Sequence, residues 1–80
     1  MRKAVKTYGD VNPVFDHIIS HFDLKNDAEL ARRLEVGGPA LSKARSNGLL
    51  YAGMFINIHE TFDIPMDEIK RLANPMAVAA

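Results

Sequence analysis

The chain has 80 residues, 48% of them apolar, which favours one small globular domain with a core over a disordered chain. Ten basic and ten acidic residues cancel to a formal net charge of zero, which argues against a strongly basic nucleic-acid-binding protein. The absence of cysteine excludes disulfide bonds and cysteine–zinc sites, and no apolar run approaches the roughly 18 residues of a membrane span.

The first segment, residues 1–11, has no clear hydrophobic period. It carries Arg2, Lys3 and Lys6 but no apolar stretch behind them, so it does not have the pattern of a secretory signal. We expect a flexible basic N-terminal arm and a cytoplasmic protein.

The first predicted helix follows in "NPVFDHIISHF". Asn12 suits an N-cap, and Pro13 suits the first helical position because its missing N–H would be unpaired there. Val14, Ile18 and Phe22 recur on one face, the spacing of a helix docked on a core.

The second predicted helix begins after Asn26, a good N-cap. Glu29 stands three residues later, where its side chain could return to the Asn26 N–H in a capping box. Leu30, Ala31 and Leu34 then form the predicted buried stripe.

The third predicted helix starts near Pro39 and buries Leu41 and Ala44. Asn47 and Gly48 end it, because Gly48 can take the left-handed conformation that closes a helix.

Two more helices are predicted, one over about residues 52–61 and one in "DIPMDEIKRLA", whose early acids suit the helix dipole. Residues 74–80 are expected to be a frayed tail. Since no segment alternates as a strand does, we predict an all-α, compact bundle of five short helices over residues 12–73.

The second and third helices have the pattern of a helix-turn-helix, in which two helices cross steeply after a short turn. Ala31 provides the small residue that lets the helices approach, and Val36 provides an apolar plug within the turn. Leu41, backed by Ala44, faces the first helix of the pair.

The segments "DAELARRLEV" and "PALSKARSNG" resemble the lambda-repressor-like (Cro-type) helix-turn-helix DNA-binding domains of bacteria and their phages. The similarity continues through "GLLYAGMFINIHETFDIPMDEIKRL", which looks like the two closing helices of such five-helix domains. The resemblance implies a small transcriptional regulator that binds duplex DNA and needs no cofactor.

The resemblance also implies that the third helix, about residues 38–46, lies in the major groove with its early residues at base edges. Lys43 can donate to guanine or a phosphate, Ser42 can bond either group, and Ala40 can contact a thymine methyl. The implied groove-facing residues are Gly38, Pro39, Ala40, Ser42, Lys43 and Ser46.

Phosphate contacts are expected from Arg45 and Asn47, at the end of this helix and in the loop after it. Asn26, with the N-terminus of the second helix, could hold a further phosphate. Arg2, Lys3 and Lys6 could follow the backbone or enter a minor groove.

Two positions depart from the family pattern. Glu35 stands where the family usually has glycine in a left-handed conformation, so Gly37 and Gly38 are expected to give the turn a different path. Asp27 stands at the head of the second helix, where its charge would repel a phosphate.

Charge is unevenly distributed. Residues 30–48 carry one acid against four basic residues, whereas residues 59–68 carry four acids and no lysine or arginine. This polarity favours DNA binding at one end and leaves the acidic end for solvent or a protein partner.

Other interpretations are weaker. His17 and His21 are four residues apart but lack an evident third metal ligand, and His59 is expected to be half-buried with a hydrogen-bond partner. The fourth helix has a wide apolar face, which is core or, where exposed, a homodimer surface with the fifth. No catalytic cluster is present, so an enzyme is not expected.

The alternative to DNA binding is a protein-interaction module that keeps the helical scaffold but has lost most of its base-reading side chains. Zero net charge and the "GGPA" start of the third helix favour this alternative.

Overall fold

The computed structural model describes residues 6–74, which are mostly helical, as predicted. Within residues 6–74, five helices and two short strands follow one another. In order they are β1 (Thr7–Asp10), α1 (Val11–His21), α2 (Asp27–Leu34), α3 (Gly38–Asn47), β2 (Leu49–Tyr51), α4 (Ala52–Phe62) and α5 (Met66–Ala73).

The two strands correct the all-α prediction. They pair antiparallel, with Thr7 opposite Tyr51 and Asp10 opposite Leu49, across an irregularity in register. Strands of four and three residues are too short to show an alternating pattern, and their pairing joins segments about 40 residues apart. Part of the predicted arm, residues 7–10, is therefore a strand of the fold.

The start of α1 also differs from the prediction. Asp10, not Asn12, is the N-cap, and its Oδ1 accepts a 3.0 Å hydrogen bond from the Asn12 amide. The helix begins at Val11, whose buried side chain extends the apolar face of α1 by one position. Asn12 is thereby free to bond with another helix.

The start of α2 agrees with the prediction in part. Asn26 is the N-cap, and its Oδ1 accepts a 3.0 Å hydrogen bond from the Glu29 amide. Glu29 Oε1 instead accepts from the amide of Lys25, at 2.7 Å, and not from that of Asn26. The reciprocal bond of the capping box is therefore displaced by one residue.

The core lies at the centre of the five helices and includes β2 through the buried Leu50. Its largest fully buried side chains come from α1–α5 and β2: Phe15, Ile18, Leu30, Leu34, Leu41, Leu50, Ile58 and Ile69, with the smaller Val11 and Val14. Within residues 6–74, no helix has the length and apolar character needed to cross a membrane.

Candidate nucleic-acid interface

The corner between α2 and α3 packs as the sequence predicts. Ala31 and Leu41 are buried where the two helices meet, and Val36 and Ala44 are half-buried against the core. Ala31 is small and buried, and Val36 packs against the core from within the turn. The corner is therefore anchored by apolar contacts on its inner side.

The path of the turn corrects the sequence interpretation. Glu35 itself takes the left-handed conformation, with φ 60° and ψ 40°, and Gly37 has an ordinary φ of −71°. The Val36 amide donates to Ala31 O at 3.0 Å, closing α2 in this conformation. Two glycines after Glu35 do not reroute the turn; the non-glycine residue takes the strained position at a cost of about 1 kcal/mol.

Arg45, near the end of α3, forms hydrogen bonds and ion pairs with side chains of α1 and α2. Its Nε donates to Asp27 Oδ2 at 2.7 Å and its Nη2 to Asp27 Oδ1 at 2.9 Å, a two-pronged ion pair. Nη2 also donates to Asp16 Oδ1 at 3.0 Å, and Nη1 to Asn12 Oδ1 at 2.8 Å. The sequence predicted a phosphate contact for Arg45, but these four bonds occupy its guanidinium.

This Arg45 cluster joins three helices. Asn12 and Asp16 lie on α1 and Asp27 on α2, while Asn12 Nδ2 returns a 3.0 Å hydrogen bond to Arg45 O on α3. The guanidinium carbon lies 5.4 Å from the centre of the Phe15 ring. The hydrogen bond with Asp27 raises the pKa of Arg45 above its ordinary value, although partial burial opposes this.

The cluster changes the expected role of Asp27. Its carboxylate was expected to repel a phosphate, but Arg45 neutralises it at close range. A paired carboxylate at the head of α2 weakens that objection to an anionic ligand.

The outer face of α3 is exposed over its whole length. In the part of the chain that the structure describes, none of its polar side chains takes part in a hydrogen bond or ion pair. The predicted residues on this face are Gly38, Pro39, Ala40, Ser42, Lys43, Ser46 and Asn47. The structure therefore brings every predicted site residue of α3 except Arg45 onto one accessible surface.

A shallow notch of about 170 Å³ lies between the first turn of α2 and the beginning of α3. It is lined by Asp27, Ala28, Gly38, Leu41 and Ser42. The notch continues the exposed face of α3 onto the first turn of α2.

Two other predicted phosphate contacts, Asn26 and Lys6, are both exposed. The Asn26 Oδ1 is used to cap the Glu29 amide. Lys6 lies at the opposite end of β1 from α1, with its Nζ 5.3 Å from the centre of the Tyr8 ring. Arg2 and Lys3 lie outside the described residues.

Arg32 is a candidate that the sequence interpretation missed. It is exposed and stands one helical turn after Ala28, so it shares the face of α2 that borders the notch. Its spacing from Ala28 was visible in the sequence. The position of Ala28 beside α3 was not, and without it Arg32 was only one member of a basic segment.

The histidines do not form a metal cluster within residues 6–74, where no group of three or more His, Cys, Asp or Glu residues could hold an ion. The rings of His17 and His21 stack with their centres 5.3 Å apart. His59 is half-buried with its Nδ1 2.7 Å from Ile64 O, which confirms its predicted environment.

The apolar face of α4 is mainly core, since Phe55, Ile58 and Phe62 are buried. Ile56 of α4 and Met66 of α5 are 45% and 43% exposed. A homodimer surface on these two helices stays a prediction.

Comparison with known proteins gives no relative. No family model matches the chain, and neither the curated proteins nor the solved structures contain a match.

Proposed function

We propose that this protein binds duplex DNA through α3, in the manner of lambda-repressor-like transcriptional regulators. One observation carries the proposal: α3 presents an exposed, unpaired polar face while its inner side is fixed to α1 and α2. The anchored inner side holds this exposed face in a fixed orientation, which a helix that enters a groove requires.

The dimensions and chemistry of α3 suit the major groove. Ten residues make a helix roughly 15 Å long, and the groove of B-form DNA, about 12 Å wide, admits one helix. Ser42, Lys43 and Ser46 recur at helical spacing on the exposed face. Lys43 can donate to guanine O6 or N7, and the two serines to base edges or phosphates.

The local charge supports the proposal despite the zero net charge. Arg32, Arg33 and Lys43 are exposed on α2 and α3. The acids nearby are Asp27 and the half-buried Glu29 on α2, and the exposed Glu35 in the turn after it. Asp27 and Asp16 both pair with Arg45, so two carboxylates share one positive charge and the Arg45 cluster carries one net negative charge. The exposed basic residues Arg32, Arg33 and Lys43 can still attract a polyanion locally while the total charge of the protein stays at zero.

The test is binding to a mixed-sequence duplex, followed by fluorescence anisotropy from low to physiological salt. We expect affinity to fall steeply as salt rises, because counterions are released from the DNA. Lys43→Glu should lower affinity by about tenfold or more at low salt, because it replaces an attractive charge with a repulsive one.

The matched control is Arg71→Glu. Arg71 is exposed on α5 and undergoes the same change of charge on another element. Both variants should keep the circular dichroism of the native protein. If Lys43→Glu and Arg71→Glu weaken binding equally, α3 is not the interface. If the folded protein does not bind DNA even at low salt, the proposal is wrong and the interaction-module alternative gains support.

A further inference from the structure

The first turn of α3 contains no side-chain hydrogen-bonding group. It consists of Gly38, Pro39 and Ala40, all of them exposed. A Cβ placed on Gly38 would meet nothing within 4 Å, so the surface beside Pro39 and Ala40 is open as well as apolar. This turn offers a ligand only C–H groups and shape from its side chains.

The backbone of this turn adds few donors. Pro39 has no N–H, and the Leu41 amide already donates to Gly37 O at 3.1 Å. The amides of Gly38 and Ala40 have no acceptor within residues 6–74, and as first-turn amides they are directed along the helix axis and not outward with the side chains. Ser42 is thus the first residue of α3 whose side chain can bond outward.

These facts limit what the turn can distinguish in a major groove. Thymine and cytosine differ there in two ways: thymine has an acceptor at O4 where cytosine has an amino donor, and thymine carries a C5-methyl group. An apolar surface cannot form a hydrogen bond with either polar group. It can gain free energy by burying a methyl group.

We propose that the first turn of α3 selects the C5-methyl group of a pyrimidine, whichever base carries it. The ligand class is therefore duplex DNA with thymine or 5-methylcytosine opposite Pro39 and Ala40, which are recognised alike, whereas uracil and unmethylated cytosine are disfavoured. This inference rests on the DNA binding proposed above. It extends that proposal by naming the feature that the "GGPA" start reads.

The experiment begins with selection of bound duplexes from a random pool by the full chain. Each thymine of the selected site is then replaced singly by uracil, cytosine or 5-methylcytosine, with the partner base changed to keep pairing, and competition anisotropy gives relative affinities. At one or two positions we expect uracil and cytosine to weaken binding by about fourfold each, the effect of one buried methyl group. At the same positions 5-methylcytosine should bind as thymine does.

A substitution in the first turn of α3 tests whether this turn causes the preference for thymine over uracil. Ala40→Gly removes the methyl group of the Ala40 side chain. The preference of this variant for thymine over uracil should therefore shrink toward onefold. Ala52→Gly makes the same change at an exposed position in the first turn of α4 and should keep the full preference. Circular dichroism verifies that both variants are folded.

The outcomes separate this inference from the proposed function. Salt-dependent DNA binding with no preference for thymine over uracil, or with no enriched site at all, overturns the methyl selection and leaves DNA binding intact. A preference for thymine over both uracil and 5-methylcytosine also overturns it, because a polar group would then be read. Absence of any DNA binding overturns both.

Discussion

Arg45 and Asp27, 18 residues apart, form a two-pronged ion pair between α3 and the head of α2, with N–O distances of 2.7 and 2.9 Å. The same guanidinium reaches Asp16 on α1. The relative position of the three helices therefore depends on one partly buried side chain as well as on the apolar core.

Replacing Arg45 with alanine should destabilise the fold by about 1–3 kcal/mol, between the values for exposed and fully buried ion pairs. Asp27 would lose its partner and Asn12 one of its bonds. Urea denaturation measures this loss. Arg71→Ala on α5 is the control and should change stability by less than about 0.5 kcal/mol. Equal losses of unfolding free energy in Arg45→Ala and Arg71→Ala would contradict the structural role assigned to Arg45.

The conservative variant Arg45→Lys should lie between the native protein and Arg45→Ala. Lysine keeps the positive charge but cannot bind a carboxylate in two places while it also reaches Asn12 and Asp16. The same denaturation experiment decides this. A lysine variant as stable as the native protein would show that charge alone matters and that the bonding geometry does not.

Glu35 has a left-handed backbone, which glycine adopts at less cost. Glu35→Gly should therefore stabilise the protein by up to about 1 kcal/mol, seen as a higher midpoint of thermal unfolding. The same change at Glu60, exposed within α4, should destabilise by about 1 kcal/mol because the backbone there is helical. A loss of stability at both positions would contradict the conformation assigned to the α2–α3 turn.

Gly9 and Gly53 should respond oppositely to alanine. A Cβ on Gly9, whose φ is +126°, would lie 2.6 Å from Ala73 O and from the Asn74 side chain, so Gly9→Ala should be strongly destabilising. Gly53 is exposed in α4 with open space around it, and Gly53→Ala should stabilise by about 0.5–1 kcal/mol. Chemical denaturation of both variants measures whether each substitution lowers or raises the free energy of unfolding. Tolerance of alanine at residue 9 would contradict the contact between β1 and the end of α5.

Features that depend on neighbouring residues could be read from the sequence. Asn26 caps α2 and Gly48 ends α3 in the left-handed conformation, as predicted, because a cap acts within one turn of helix. The inward stripe of Leu30 and Leu34 follows from helical periodicity and is buried as expected.

Features that depend on distant residues could not be predicted from the sequence. The pairing of β1 with β2 joins segments too short to carry a pattern, and α1 follows β1 directly, beginning at Val11 with Asp10 as its N-cap. Arg45 was expected to contact a phosphate because helical spacing does not reveal which acids other helices bring near it. The exposure of Ser42, Lys43 and Ser46 agrees with the sequence interpretation, since the buried Leu41 fixes the inner side of α3.

The most direct test of the α3 interface is a ¹H–¹⁵N nuclear magnetic resonance titration of the protein with a short duplex at low salt. We expect the largest amide shift changes at Ser42, Lys43 and Ser46, with smaller changes at Ala28 and Arg32 across the notch. The amide signals of α5 should not shift. Changes centred on α4 and α5, or none at saturating DNA, would contradict a DNA-binding role for α3.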